Sequence, residues 1–245
     1  MNMSYVDIHC HLLPGIDDGA QDMSMALKMT HKAVESGIGR IVVTPHIQPG
    51  IYDNNIQLIQ STFDQYQAAV VEESLNVELA FAAEYHLTPE LLAAVEAQQV
   101  PFLGEVEGEK ILLLELPHTS VPATAIQLIR WLRAHNIRPL IAHPERNQEI
   151  IRHPEKMRPL ASLGALFQLT AGSITGVFGS KSRHAAELIL KSGLGHVIAS
   201  DAHNLSRRPP ALAEALQAAA GIVGESKAAD MVDATPRKLT ASLFE

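Results

Sequence analysis

Short, uninterrupted apolar runs alternate seven times with longer segments of helical period, and this alternation leaves the chain few architectures. The first run opens at Tyr5–Ile8. Asp22 is placed to cap a helix reaching about Ser36, in which Met25, Ala26, Met29, Ala33 and Val34 recur near the helical repeat. Gly37 follows where a helix-ending glycine belongs. IGRIVVTPH reads as the second strand, and a helix around Gln57–Ser74 leads to VELAFAAE. KILLLELP, IRPLIAHPER, GALFQLTAG and HVIASDAHN continue the series, separated by helical segments near Pro89–Gln98, Pro122–His135, Pro154–Leu163 and Lys181–Lys191. From Pro209 onward the tail is Ala-rich and helical, with a break near Gly221–Gly224.

Runs that are apolar throughout, without polar alternation, fit parallel strands buried on both faces. The expected fold is therefore α/β, a distorted (β/α)7 barrel, with an open doubly wound sheet as the alternative. No repeat, linker or low-complexity stretch divides the 245 residues, so one domain over 1–245 is expected. The longest irregular segment, His46–Asn55 with Pro49 and Gly50, is read as a mobile loop beside an active site.

The carboxyl ends of the apolar runs carry the chemistry. His9 and His11 follow the first, His46 the second, Glu84 the third, Glu115 the fourth, His143 the fifth, and Asp201 and His203 the seventh. Six of seven strands thus deliver a metal-competent side chain to one rim, where α/β barrels build their sites. His9 and His11 are two apart on an extended chain, so they share a face and Cys10 takes the other. Glu84 is suited to bridge two cations, and Asp18, in the loop after the first strand, is a further ligand candidate. Each of these residues alone is more often structural. Gathered at one rim without cations, however, they would carry a large desolvation and repulsion cost. Mixed imidazole and carboxylate ligands suit Mn, Fe or Zn. Arg146 and Arg208, in the loops after His143 and His203, can hold phosphate oxygens, with Arg207 competing for the second role. His31, His135 and His184 are expected to be exposed on helices, and His153 and His196 to lie in loops or on the opposite rim. His86 and His118 are near enough to the ligands to touch substrate.

Composition excludes some functions. A net charge of −8 offers no basic stripe for nucleic acid. No apolar run reaches the about 18 residues of a membrane span, and MNMSYVDIHC lacks the features of a secretory leader, so a cytoplasmic protein without membrane insertion is expected. The single cysteine, Cys10, forms no internal disulfide. A cysteine-nucleophile phosphatase needs an arginine in the turn after its cysteine to cradle phosphate, and Ile16 stands six positions on.

DIHCHLLPGIDDGA, TPH, AEYHL, LLLELP, IAHPERN, QLTAGSITG and SDAHNLSRRPP occur in this order between about Val6 and Pro210. Together they resemble the PHP (polymerase and histidinol phosphatase) superfamily, in particular its manganese-dependent bacterial protein-tyrosine phosphatases from capsule and exopolysaccharide gene clusters. The resemblance implies a PHP-type barrel with three divalent metal ions, Mn favoured, at the carboxyl rim. His9, His11, Glu84 and Asp201 would hold the first ion. Glu84 would bridge to a second, shared with Glu115 and His143. Asp18, His46 and His203 would hold the third. Arg146 and Arg208 match the family's phosphate-binding arginines. Ser206 and Arg207 stand where relatives often have an acidic residue and glycine, which bears only on loop shape. The implied substrate is phosphotyrosine on a membrane-associated, autophosphorylating tyrosine kinase that controls polysaccharide export, with Tyr52 a candidate to stack on the ring. The implied chemistry is one-step hydrolysis by a metal-activated water. A small phosphomonoester such as histidinol phosphate is the alternative substrate, and a non-catalytic phosphoprotein-binding regulator the alternative class.

Overall fold

The computed structural model describes residues 4–245. Met1–Met3, part of the stretch read above for a leader, lie outside the described residues. Among the described residues ten strands occur: β1 (Tyr5–Asp7), β2 (Ile38–Val43), β3 (His46–Ile47), β4 (Glu78–Phe81), β5 (Glu84–His86), β6 (Gly104–Val106), β7 (Glu109–Glu115), β8 (Ile137–Ala142), β9 (Leu166–Thr170) and β10 (Val197–Ala199). One sheet runs β1-β2-β4 and the other β10-β9-β8-β7-β5-β3, all pairs parallel except the β6–β7 hairpin.

The second and third expected strands are each broken in two. Thr44-Pro45 separates β2 from β3, and Ala82-Ala83 separates β4 from β5. Proline has no N–H for a ladder, and the chain bends there to place His46 and Glu84 side by side in register. The two sheets meet again across a single bridge, Cys10 to Ala202. Seven parallel strand positions therefore follow one another round a distorted circuit. The strand β6 was not anticipated. Its signal is the two-residue turn Glu107-Gly108, both at positive φ (56° and 81°), the geometry that closes a tight hairpin.

Side chains alternate between two apolar clusters. Val6, Ile8, Val42, Ala80, Ile111, Leu113, Leu140, Ala142, Leu166 and Val197 point together, as expected for the inside of a closed sheet. Ile41, Val43, Leu112, Leu114, Ile141, Phe167, Leu169 and Ile198 face outward against the helices. Leu239, on the helix Ala234–Thr240, joins the inner cluster and closes the end where the strands begin. The opposite end is left to the polar residues.

The helices form much as expected. Met23–Glu35 is capped by Asp22, whose side chain accepts from Met25 N at 2.8 Å, and buries Ala26, Met29, Thr30 and Ala33. The tail breaks at Gly224, between the helices Ala213–Val223 and Glu225–Val232, and Gly221 stays helical. Among the described residues no helix is long and apolar enough to cross a membrane.

Candidate metal centre and phosphate site

At the carboxyl rim, Glu84 is fully buried with four imidazoles around it. Its Oε2 lies 3.2 Å from His9 Nε2, 3.4 Å from His11 Nε2 and 3.0 Å from His46 Nδ1, while Oε1 lies 2.8 Å from His143 Nε2. Asp201 Oδ1 faces His9 and His11 at 3.4 and 3.5 Å. Asp18 Oδ1 is 3.3 Å from His203 Nε2 and 3.5 Å from His46 Nε2. Glu115 stands 3.8 Å from both His46 and His143. All nine candidate ligands thus converge. They form four overlapping sets whose donor atoms lie within 4.8 Å of one another: His11, Asp18, His46 and His203; His9, His11 and Glu84; His9, His143 and Asp201; His46, Glu84 and Glu115. His46 belongs to two sets through its two ring nitrogens, a sharing the sequence did not suggest.

Local backbone explains the convergence. β1 ends at Asp7, and the inward alternation slips one position between Ile8 and His9, so both histidines turn into the circuit while Cys10 packs outward. Cys10 Sγ lies 3.7 Å from Val42 O, and burial pushes its thiol well up, so it is no nucleophile. His143 and Asp201 adopt left-handed φ values (30° and 52°), a strained conformation for residues with a Cβ. Both lie just past a strand, where this turn swings the side chain back over the rim. Glu84 opens β5, the upper half of the broken third strand.

The donor atoms fit cations. His46 Nδ1, Glu84 Oε2, Asp201 Oδ1 and His203 Nε2 are buried without hydrogen-bond partners, and all four belong to these sets. Buried acceptors left unpaired in this way are costly unless a positive charge meets them. Protons share the same preference. Burial opposes charge on His9, yet Glu84 and Asp201 outweigh it and hold its imidazole above the ordinary range. Burial likewise opposes ionisation of Glu84 and Asp201, yet His9 and its neighbours hold both carboxyls well below theirs. His203, desolvated and beside His11, is pushed down to about 4 and keeps a free lone pair.

Two orienting side chains were not foreseen. Asp17 Oδ2 accepts from His11 Nδ1 at 2.8 Å and from His46 N at 3.1 Å, and its Oδ1 accepts from Gly19 N at 3.0 Å. Gln168 Oε1, on β9, accepts from His9 Nδ1 at 2.8 Å. Each fixes the tautomer that leaves Nε2 unprotonated and aimed at the cluster. The available signal was the doublet Asp17-Asp18, since a ligand histidine needs a partner for its second nitrogen.

Both candidate arginines reach the rim. Arg146 and Arg208 both donate to Asp201 Oδ2, Arg208 at 2.7 Å, whereas Arg207 is exposed. His86 Nδ1 contacts Glu115 Oε2 at 3.0 Å, and His118 is exposed. His31, His135, His153 and His184 are exposed too, and His196 half-buried. The His46–Asn55 segment is more structured than expected. It contains β3 and a Gln48–Tyr52 bridge, and Asn54 Nδ2 ties it to Ile16 O and His46 O. Tyr52 stacks on His46, centroids 5.3 Å apart and rings 11° from parallel.

A family model described as capsular polysaccharide synthesis, CpsB/CapC, matches residues 5–241. The chain belongs to the CpsB/CapC family. The tyrosine-protein phosphatase YwqE of Bacillus subtilis (strain 168) is 35% identical over 203 residues, 83% of this chain and 79% of YwqE. The tyrosine-protein phosphatase CpsB of Streptococcus pneumoniae is 28% identical over 240 residues, 96% and 97% of the two chains. A crystal structure from a study of YwqE and CpsB, described there as unique metal-dependent tyrosine phosphatases, superposes with a TM-score of 0.89 at 32% identity, covering 97% of this chain and 94% of the other. An amidohydrolase from Mycoplasma synoviae shares the fold alone (TM-score 0.57, 12% identity, 96% and 87% coverage). Within the CpsB/CapC fold, the imidazoles and carboxylates gathered at one rim form groups that could hold metal ions.

Proposed function

We propose that this chain is a metal-dependent protein-tyrosine phosphatase, a phosphoric monoester hydrolase of a single domain. Its substrate is phosphotyrosine on a bacterial tyrosine kinase that governs capsular or exopolysaccharide synthesis. The observation that carries the reading is Asp201, which turns one oxygen to the histidine cluster and the other to two arginines. Cation sites and phosphate donors are thereby joined at one carboxylate.

His9, His11, Asp18, His46, Glu84, Glu115, His143, Asp201 and His203 would hold three divalent ions, with manganese favoured over iron and zinc. Bound there, such ions would supply Lewis acidity toward a phosphoryl oxygen and would lower the pKa of water enough to provide hydroxide at neutral pH. Arg146 and Arg208 bind the non-bridging oxygens and stabilise charge that grows as the ester bond breaks. Asp17 and Gln168 keep the His11 and His9 lone pairs aimed inward throughout. Tyr52, stacked on His46, offers an aromatic wall for the substrate ring. The setting that goes with this reading is cytoplasmic.

The test is metal analysis of protein purified without chelator, with turnover of a phosphotyrosine peptide and of histidinol phosphate before and after stripping. Hydrolysis of the peptide that disappears on stripping, and in His143→Ala, supports the reading. A preference above tenfold for histidinol phosphate would move the substrate to small phosphomonoesters. Phosphopeptide binding without turnover would make the chain a regulator.

A further inference from the structure

Asp201 alone is a poor anchor for two phosphate-binding arginines, because it consumes N–H donors and neutralises the charge that phosphate needs. A second support lies beneath them. The guanidinium carbon of Arg146 sits 4.6 Å from the centroid of Phe178, and that of Arg208 sits 5.8 Å from the same ring. Both distances fall within the about 6 Å over which a ring face attracts a cation. A ring face holds a guanidinium without occupying its N–H donors, so the fork stays open to an anion.

The ring is held in place by its surroundings. Phe178 lies between Gly176 and Gly179, both at positive φ (91° and 89°), in a turn closed by Phe178 N donating to Gly172 O at 3.4 Å. That turn folds the ring edge onto Gly172. A Cβ at position 172 would approach Phe178 Cε2 to 2.8 Å and Cδ2 to 3.2 Å, closer than side chains tolerate. The glycine therefore leaves the space that the ring fills. Arg146 follows β8 and Arg208 follows β10, so one aromatic side chain from the turn after β9 bridges two otherwise separate loops.

We propose that Phe178 is a positioning residue that pre-organises Arg146 and Arg208 for phosphate, with Gly172 fixing the ring. The proposal rests on the reading of those arginines as phosphate ligands given above. The metal-loaded full chain is compared with Phe178→Leu, which keeps apolar volume but loses the ring face, with Phe178→Tyr, which keeps the face, and with Gly172→Ala, which displaces it. Orthophosphate affinity is measured by calorimetry and by competition against an aryl phosphate, and metal content by mass spectrometry.

Phe178→Leu is expected to weaken orthophosphate about tenfold, the size of one to two such contacts, with metal content unchanged. Phe178→Tyr should stay within about twofold of the wild type, and Gly172→Ala should follow Phe178→Leu. In an Arg146→Ala/Arg208→Ala background Phe178→Leu should have no further effect. Undiminished orthophosphate affinity in Phe178→Leu would overturn the proposal, as would a loss that Tyr does not restore or one that persists without the arginines. If the wild-type protein itself bound no orthophosphate, the reading of the arginines would fall as well. If it binds and Phe178→Leu binds equally, only the role of Phe178 falls.

Discussion

Replacing Asp17 by Asn removes one charge, changes almost no volume, and touches two members, His11 and His46, of a single candidate cation-binding set. The Asp17 side chain is fully buried. Burial pushes its carboxyl up, yet the hydrogen-bonded His11 imidazole outweighs this and holds it below the ordinary range, so it is an anion. It accepts three hydrogen bonds from donors, at 2.8 Å from His11 Nδ1, 3.1 Å from His46 N and 3.0 Å from Gly19 N. Asn offers one accepting oxygen and one donating NH2 group. If the NH2 faces Gly19 N, two donors oppose each other. If it faces His11, the imidazole must turn Nδ1 into the acceptor, which moves the proton to Nε2 and removes His11 as a ligand. Either arrangement weakens the set His11, Asp18, His46 and His203. Loss of such a carboxylate–histidine partner typically costs about 10- to 100-fold in metal affinity, or about 1.4 to 2.7 kcal/mol. Chelator-competition titration read by mass spectrometry should show one ion leaving at lower chelator concentration than in the wild type. Aryl phosphate hydrolysis should fall in parallel. Asp17→Asn protein with all its ions held within twofold of wild-type affinity would refute the reasoning.

Other perturbations give distinct readouts. Gly19→Ala would drive a Cβ to 2.1 Å from His11 O, so it should lower both metal content and Tm, whereas Gly50→Ala, in open space, should leave metal content unchanged. Stripping the ions should lower Tm, because each site filled at 100 times its Kd contributes about 2.7 kcal/mol, and re-addition should restore it. Tyr66→Phe deletes the hydroxyl that meets buried Thr30 Oγ1 at 2.6 Å, while Thr30 keeps its bond to Ala26 O. The expected loss is about 1 kcal/mol, or about 2–4 °C in Tm, by calorimetry. His196 Nδ1 accepts from Phe167 N at 3.2 Å, and desolvation holds its imidazole below the ordinary 6.5. Its stabilisation is therefore complete above about pH 6.5 and is lost as pH falls toward the lowered folded value. Urea titrations from pH 7.5 to 5 should show a shallower decline for His196→Asn, which keeps an acceptor but does not titrate. An equal decline would remove His196 as the cause.

Eight of the nine candidate ligands were legible because each stands at or near the end of an uninterrupted apolar run, which marks the rim, whereas Asp18 showed only as an acid in the loop after the first run. His143 and Asp201 could be placed there from the sequence, but not their left-handed backbone, which depends on what each side chain must reach. The strand break at Ala82-Ala83 was hidden, because VELAFAAE is apolar across the bend and a break changes partners without changing composition, whereas the break at Thr44-Pro45 carried a visible signal in Pro45. The hairpin strand β6 is three residues long, too short to show a period. Asp17 and Gln168 escaped notice because an orienting residue is defined by the second nitrogen of a histidine, and spacing along the chain does not reveal which distant side chain meets it. Phe178 escaped for a related reason, since in the sequence it is one apolar residue among many.

Asp201 N donates to His9 O at 2.8 Å, and His11 N donates to Ala202 O at 2.9 Å. These two bonds stitch the earliest ligand-bearing stretch of the chain to the latest. A nascent polypeptide that stops short of residue 200 carries the histidine pair but neither the stitch nor the carboxylate opposite it. Of the four donor sets, only the two completed by Asp201 and His203 wait for this stretch, so a product ending before residue 200 has His9, His11, His46, Glu84 and Glu115 but lacks both of those sets.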